Sequence, residues 1–308
     1  MKKLLRIGTR SSRLALWQAE KVKEKLAAAG YTCELVKLES AGDQDRHTPL
    51  HTLGGIGVFT RRLDEALLHD EVDLAVHSLK DVPTMLPDGI AQLAILPRGH
   101  QGDVLVLPEG DVPDITAACT IATGSIRRKA QWLSKYPHHR VVGLRGNVPT
   151  RLRKLDESDW QGAIFARAGL ERLGLLPYNR YWELDWMLPA PGQGAIMVAA
   201  RSTDMPVLRQ AREALNDDYT EKMVQIERQF MRTLEGGCTS PIGALAKLVG
   251  SNVVFRGGVF SMDGTDKAVV STECPFADDL GRVLAEEVLA QGGAQIIETI
   301  RQNQGSIG

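Results

Sequence analysis

Strand-like apolar runs alternate with helical spacings from residue 5 onward, and the alternation begins again after Gly102. A βαβαβ rhythm of this kind implies a mostly parallel sheet covered by helices. Leu5-Arg6-Ile7-Gly8 reads as a short strand. Leu14 to Ala29 carries Leu14, Leu16, Trp17, Val22 and Leu26 at helical spacing, and Gly30 ends it. Cys33 to Leu38 alternates like a strand. Phe59 to His69 reads as a helix with Leu63, Leu67 and Leu68 inward, and Val72 to Val76 as a buried strand. In the second run, strands are expected at Val104–Leu107, Thr120–Thr123, Val141–Leu144 and Ala163–Ala166, with helices at Ile126–Lys135 and Val148–Leu155.

Two α/β units of similar size, joined by extended crossings, imply a ligand cleft between them. Pro189-Ala190-Pro191-Gly192-Gln193-Gly194 reads as a hinge, and Ala195–Ala200 as a strand returning to the first unit. The tail differs in character. Asp218–Leu234 has one apolar helical face (Met223, Ile226, Phe230, Leu234). Ala244–Thr272 reads as an antiparallel meander, with strand pieces at Val253–Phe255 and Val259–Phe260 and a turn at Met262-Asp263-Gly264-Thr265. An amphipathic helix from Phe276 to Ala290 closes it. The expected domains are therefore 1–97 with 195–215, then 101–190, then a small α+β domain over 216–308. A chain of 308 residues exceeds one core, which agrees with several domains.

The formal net charge of -1 argues against broad nucleic-acid binding. Yet Arg127, Arg128, Arg140, Arg145, Arg151, Arg153, Arg167 and Arg172 crowd one stretch, which suits a small polyanion. No apolar run approaches the roughly 18 residues of a membrane helix. Met1-Lys2-Lys3-Leu4-Leu5-Arg6 lacks a long apolar stretch behind it, so no secretory signal is expected. The four cysteines (Cys33, Cys119, Cys238, Cys274) show neither a CxxC pair nor a metal spacing. They read as reduced thiols of a cytoplasmic protein, and no metal is expected.

Three places carry candidate chemistry. The strand ending Val72-Asp73-Leu74-Ala75-Val76 runs into His77-Ser78-Leu79-Lys80-Asp81-Val82-Pro83. Ligands of open α/β sheets bind beyond strand carboxyl ends, so a carboxylate and an ammonium there can handle protons on a ligand. Taken alone, Lys80 and Asp81 better suit a surface ion pair at a strand-ending turn. Thr123-Gly124-Ser125-Ile126-Arg127-Arg128 and Arg145-Gly146-Asn147-Val148-Pro149-Thr150-Arg151 each turn from a strand into a helix, and Thr9-Arg10-Ser11-Ser12 is a third such turn. Helix N-termini and arginines both bind carboxylates. Cys238 sits in Glu235-Gly236-Gly237-Cys238-Thr239-Ser240-Pro241. It reads either as an attachment point on an open loop or as an incidental residue beside a glycine C-cap. His47, His51, His69, His100, His138 and His139 read as loop or helix-end residues without chemistry.

Together these segments closely resemble the porphobilinogen deaminase (hydroxymethylbilane synthase) family over essentially the whole chain. The resemblance rests on Ala75–Pro83, Leu144-Arg145-Gly146-Asn147, Ala168-Gly169-Leu170-Glu171-Arg172-Leu173-Gly174, Pro191-Gly192-Gln193-Gly194 and Glu235-Gly236-Gly237-Cys238. It implies two periplasmic-binding-protein-like domains with mixed, mostly parallel sheets, plus the small C-terminal domain. It implies a dipyrromethane cofactor held by a thioether to Cys238. The implied reaction is head-to-tail condensation of four porphobilinogen molecules, with four ammonia molecules released and hydroxymethylbilane as product, by a monomer.

By the family's motifs, Ser78, Lys80, Thr123, Ser125, Arg127, Arg128, Arg145 and Gly146 would hold the cofactor. Arg10, Ser12, Gln18, Arg145, Arg151, Arg172 and Gln193 would hold substrate. Each pyrrole brings an acetate and a propionate, so the growing chain gains negative charge that arginines offset. Asp81 would be the catalytic acid. It would face the cationic azafulvene left when ammonia departs, an attraction of about 4 kcal/mol at about 4 Å in a partly screened site. The sequence departs from the family's pattern at Ala41, Thr52 and Ile56, which replace basic residues. Gly124 replaces a serine, and Thr239-Ser240 replace Gln-Val. The competing reading is a two-lobed small-carboxylate binder without catalysis. A third is a family member that has lost activity.

Overall fold

The computed structural model describes residues 4–39, 60–110, 112–177, 180–234 and 240–305. In chain order the first elements are β1 (Leu5–Arg10), α1 (Arg13–Ala28), β2 (Cys33–Leu38), α2 (Arg61–Leu68), β3 (Leu74–Ser78), a 3-10 turn at Leu79–Asp81, and β4 (Ile90–Ile95). Next come β5 (Asp103–Val106), β6 (Thr120–Ala122), α3 (Ile126–Lys135), β7 (Arg140–Val142), α4 (Val148–Asp156), β8 (Gly162–Ala166), α5 (Arg167–Arg172) and β9 (Tyr181–Glu183). The chain continues through β10 (Ile196–Arg201), α6 (Arg209–Leu215), α7 (Asp218–Thr233), β11 (Ile242–Val249), β12 (Asn252–Phe260), β13 (Lys267–Pro275), α8 (Leu280–Val288) and α9 (Ala294–Gly305). Two compact units result: Met1–Gly99 with Gly194–Lys222, and His100–Gln193 with Met223–Gly308.

The first unit is built on a five-stranded sheet of order β2-β1-β3-β10-β4. β1 pairs in parallel with β2 and β3, whereas β10 runs antiparallel to both β3 and β4. Four strands therefore point one way and β10 against them. α1 starts where the Ser12 side chain accepts the Ala15 N–H and buries Ala19, Val22 and Leu26. It stops where the Gly30 and Tyr31 N–H groups fold back onto the Ala27 and Leu26 carbonyls. At the edge where β1 and β3 begin, buried Asp73 pairs with Arg6 and Arg201, fastening three strands together.

The second unit holds a five-stranded sheet of order β7-β6-β8-β5-β9. β6 is parallel to β7 and β8, and β5 runs antiparallel to β8 and β9. The layout repeats that of the first unit without any sequence repeat. The antiparallel sheet β11-β12-β13 falls in this same unit. Phe230 of α7, Phe255 and Val259 of β12, and Leu284 and Val288 of α8 share its core.

The meander differs from expectation in one respect. β12 is a single strand running through Gly257 and Gly258, where two short pieces were expected. A Cβ at Gly257 would lie 2.6 Å from the Phe255 ring, and one at Gly258 2.6 Å from the Ala268 carbonyl, so the glycines admit close packing and do not end the strand. The last helix also starts later than expected, at Leu280, and α9 follows it.

Candidate active site

In the first unit the parallel strands β1 and β3 end at the same edge. β3 runs straight into the 3-10 turn carrying Lys80 and Asp81. The Leu79 N–H bonds the Ala195 carbonyl and the Val82 N–H closes onto Leu79, after which Pro83 stops the strand direction. Both Lys80 and Asp81 are half-buried. Gln18, buried on α1, sits 2.9 Å from Ser78 Oγ and fixes the end of β3 to that helix. Arg10 ends β1, and Ser12 caps α1 beside it. The turn and the two strand ends thus assemble Arg10, Ser12, Gln18, Ser78, Lys80 and Asp81 on one edge.

His77, next to Ser78, is buried. Burial pushes its imidazole down to about 4, and the nearby Arg10 charge acts in the same direction. The ring is therefore neutral in the folded protein down to that pH, whereas an unfolded chain binds a proton near pH 6.5. Between these values the unfolded state takes up more protons, so stability falls as pH drops through this window, by about 3 kcal/mol in full. Urea unfolding measured from pH 7 to pH 4 is expected to show this slope, and His77→Gln to flatten it.

In the second unit the parallel strands β6, β7 and β8 end at one edge, each followed by a helix. After β6, buried Thr123 accepts the Ser125 N–H through Oγ1, and Ser125 Oγ accepts the Arg128 N–H to cap α3. After β7, Asn147 accepts the Thr150 N–H at 3.0 Å to cap α4, with Pro149 in its first turn. Gly146 makes the preceding bend at φ +113, and Arg151 Nε donates to its carbonyl at 2.7 Å. Gly124, standing where the family pattern has serine, lies against this second turn, since a Cβ there would come 2.5 Å from the Leu144 carbonyl oxygen. The two helix N-termini are thereby neighbours. Arg145 and Arg151 belong to the same turn, and both are half-buried. At the end of α5, Arg172 is desolvated enough that burial brings its guanidinium down to about 10. These strand ends thus carry two helix caps and two arginines, Arg145 and Arg151, a donor set whose charge and N–H groups suit an anion.

Arg127, Arg128 and Gln193 lie deeper. Arg127 and Arg128 are each 5% exposed, and both face Asp103, which is 0% exposed. Arg127 Nη2 is 2.8 Å from Asp103 Oδ2, and Arg128 Nη2 is 2.9 Å from Oδ1. Gln193 Nε2 donates to the same carboxylate at 2.9 Å and to the Gln101 carbonyl at 2.7 Å. Sequence reading passed over Asp103. Its signal was a carboxylate opening the apolar run Val104-Leu105-Val106-Leu107. It also passed over Glu227, fully buried on α7, which accepts the N–H groups of Gly192 and Ala246. Cys238 lies outside the described residues, as do Ala41, Thr52 and Ile56. His139 is a core residue that accepts the Trp132 indole N–H at 3.2 Å. No helix among the described residues is long and apolar enough to cross a membrane.

Comparison with known proteins supplies the family. Residues 5–209 match the family model "Porphobilinogen deaminase, dipyromethane cofactor binding domain", and 222–290 match "Porphobilinogen deaminase, C-terminal domain". A relative from Rubrobacter xylanophilus named porphobilinogen deaminase is 44% identical over 296 residues, covering 96% of this chain and 97% of its own length. One of the same name from Acidithiobacillus ferrooxidans is 42% identical over 303 residues, covering 96% and 98%. Among solved structures, the methionine-binding protein MetQ aligns with 71% of this chain and 92% of its own, at 13% identity and a TM-score of 0.44. With both family models matched in order along the chain, and with relatives of the same name aligned over nearly its full length, this protein belongs to the porphobilinogen deaminase family.

Proposed function

We propose that the chain condenses four porphobilinogen molecules head to tail on a covalent dipyrromethane primer, with loss of four ammonia molecules, and that water then cleaves the product from the primer as linear hydroxymethylbilane. The observation that carries this reading is the cationic edge of the second unit, where the caps of α3 and α4 stand beside Arg145 and Arg151, with Arg172 closing α5 in the same unit. A dipyrromethane presents two acetates and two propionates, and this donor set matches that chemistry. Ser78, Lys80, Thr123, Ser125, Arg127, Arg128, Arg145 and Gly146 would hold the primer, and Cys238 would form the thioether. When bound, the group supplies the free pyrrole α-carbon that is extended.

The chain's own residues do the rest. Arg10, Ser12, Gln18, Arg145, Arg151, Arg172 and Gln193 would bind and orient the carboxylates of arriving substrate. Asp81 protonates the aminomethyl nitrogen so that ammonia leaves and the carbon–nitrogen bond breaks. Its carboxylate then faces the cationic azafulvene of the substrate. The Asp81 carboxylate would then take up the proton displaced by the condensation, which returns it to the acid form for the next ammonia departure. The partition into domains 1–97 with 195–215, 101–190 and 216–308, and action as a cytoplasmic monomer, belong to this reading.

Intact-mass measurement of freshly purified protein tests it. The expected mass exceeds that of the polypeptide by two pyrrole units. An unmodified mass in active protein would remove the primer from the mechanism, and an unmodified mass in inactive protein would favour the binder.

A further inference from the structure

We propose that Asp103 is a positioning residue: it holds the Arg127–Arg128 pair, and with it the first turn of α3, in the orientation that takes up the primer's carboxylates. The inference rests on the proposed function and goes beyond it, because it concerns a carboxylate within a site built to bind carboxylates.

The topology explains how an acid reaches this place. β6, β7 and β8 all end at the ligand edge, so their last residues face it. β5 runs the other way, with Asp103 opposite Ala166 at the end of β8. A reversed strand brings its first residue to the edge where its neighbours bring their last. Asp103 therefore meets Arg127 and Arg128 on the opening turn of α3. Arg128 gives Nε and Nη2 to Asp103 Oδ1 and Nη1 to the Ile164 carbonyl. Arg127 pairs ionically through Nη2 with Asp103 Oδ2 at 2.8 Å and donates Nη1 to the Leu188 carbonyl. These bonds fix the planes of both guanidinium groups without using all of their N–H donors. Gln193 bonds the same carboxylate and the Gln101 carbonyl, so two separate chain segments are tied to the cluster.

Two effects of Asp103 can be separated. By charge alone it lowers the local field, since two guanidinium groups and one carboxylate sum to +1 and removal of the acid would raise this to +2. By position it keeps both cations in one arrangement. If charge dominates, Asp103→Asn strengthens uptake of polycarboxylates. If position dominates, uptake weakens, because the two arginines lose their shared anchor and repel one another.

The test compares Asp103→Asn and Asp103→Glu with Asp73→Asn. Asp73 is likewise a buried carboxylate between two arginines, Arg6 and Arg201, but lies at the opposite strand edge of the first unit. The readouts are the fraction of chains carrying the two-pyrrole addition by intact mass, and kcat and KM per loaded chain, with folding followed by circular dichroism. Loading of Asp103→Asn is expected to fall, or KM for porphobilinogen to rise, by about tenfold or more. Asp103→Glu should recover part of the loss, and Asp73→Asn should load like the wild type. Wild-type loading and KM in Asp103→Asn would overturn the proposal, as would tighter uptake. If Asp103→Asn does not fold, Asp103→Glu decides: normal loading and KM overturn the proposal, and a partial deficit absent from Asp73→Asn supports it. An unmodified wild-type chain would overturn the primer reading itself, whereas an Asp103→Asn chain with both full loading and wild-type KM overturns only the role of Asp103.

Discussion

Replacing Asp81 with asparagine is expected to lower turnover by about 10²–10⁴-fold while the fold and the loaded mass stay unchanged. The substitution preserves the size of the side chain and its place in the turn after β3. It removes both functions assigned to that side chain, since an amide neither exchanges a proton nor carries charge. The backbone of the turn is held independently, by the Leu79 bond to Ala195 and the Val82 bond to Leu79. Gln18 and Ser78 anchor the strand end through their own side chains. Structural loss is therefore not expected, and steady-state kinetics beside an intact-mass check separates chemistry from folding. Turnover within about threefold of wild type would exclude Asp81 as the essential acid, since removal of a general acid costs far more than that.

Cys238→Ala is expected to abolish both the two-pyrrole addition and all turnover. A thioether needs an accessible thiolate, and the other cysteines are poor candidates. Cys119 is buried, and burial together with Asp114 raises its thiol. Cys33 and Cys274 are half-buried, and burial raises both. Cys238 follows α7 and precedes β11. Glu227 ties these flanks together through the N–H groups of Gly192 and Ala246. If the addition persists in Cys238→Ala, peptide mapping should find it on one of the other three thiols, and the anchor would need reassignment.

Elements whose information is local were legible in the sequence. β2 and α3 occupy the expected residues, because alternation and helical spacing act over a few positions. β4 and β9 were not legible. Ile90–Ile95 is a strand because β10, a hundred residues later, pairs with it, and Tyr181–Glu183 because β5 does. α9 was not expected: the last helix was drawn to Ala290, just short of Gly292 and Gly293. Gly292 does bend the chain at φ +102, but burial of Ile296 and Ile300 draws the following residues back into a helix.

The site divides in the same way. The strand-end turns with Arg10, Lys80, Asp81, Ser125, Arg145 and Arg151 announce themselves as short motifs. Asp103 does not, because its partners Arg128 and Gln193 lie 25 and 90 positions away. A carboxylate opening an apolar strand signals a missing cation but cannot name it.

The insertion of β10 between β3 and β4 has a consequence for biosynthesis. When residue 99 leaves the ribosome, the first sheet lacks the strand that joins β4 to the rest, and that strand is made only after the whole of β5 to β9. The later sheet draws on one continuous stretch and has all its strands sooner. Assembly during translation is thus expected to run out of chain order, with the segment born first waiting for a partner born nearly a hundred residues behind it.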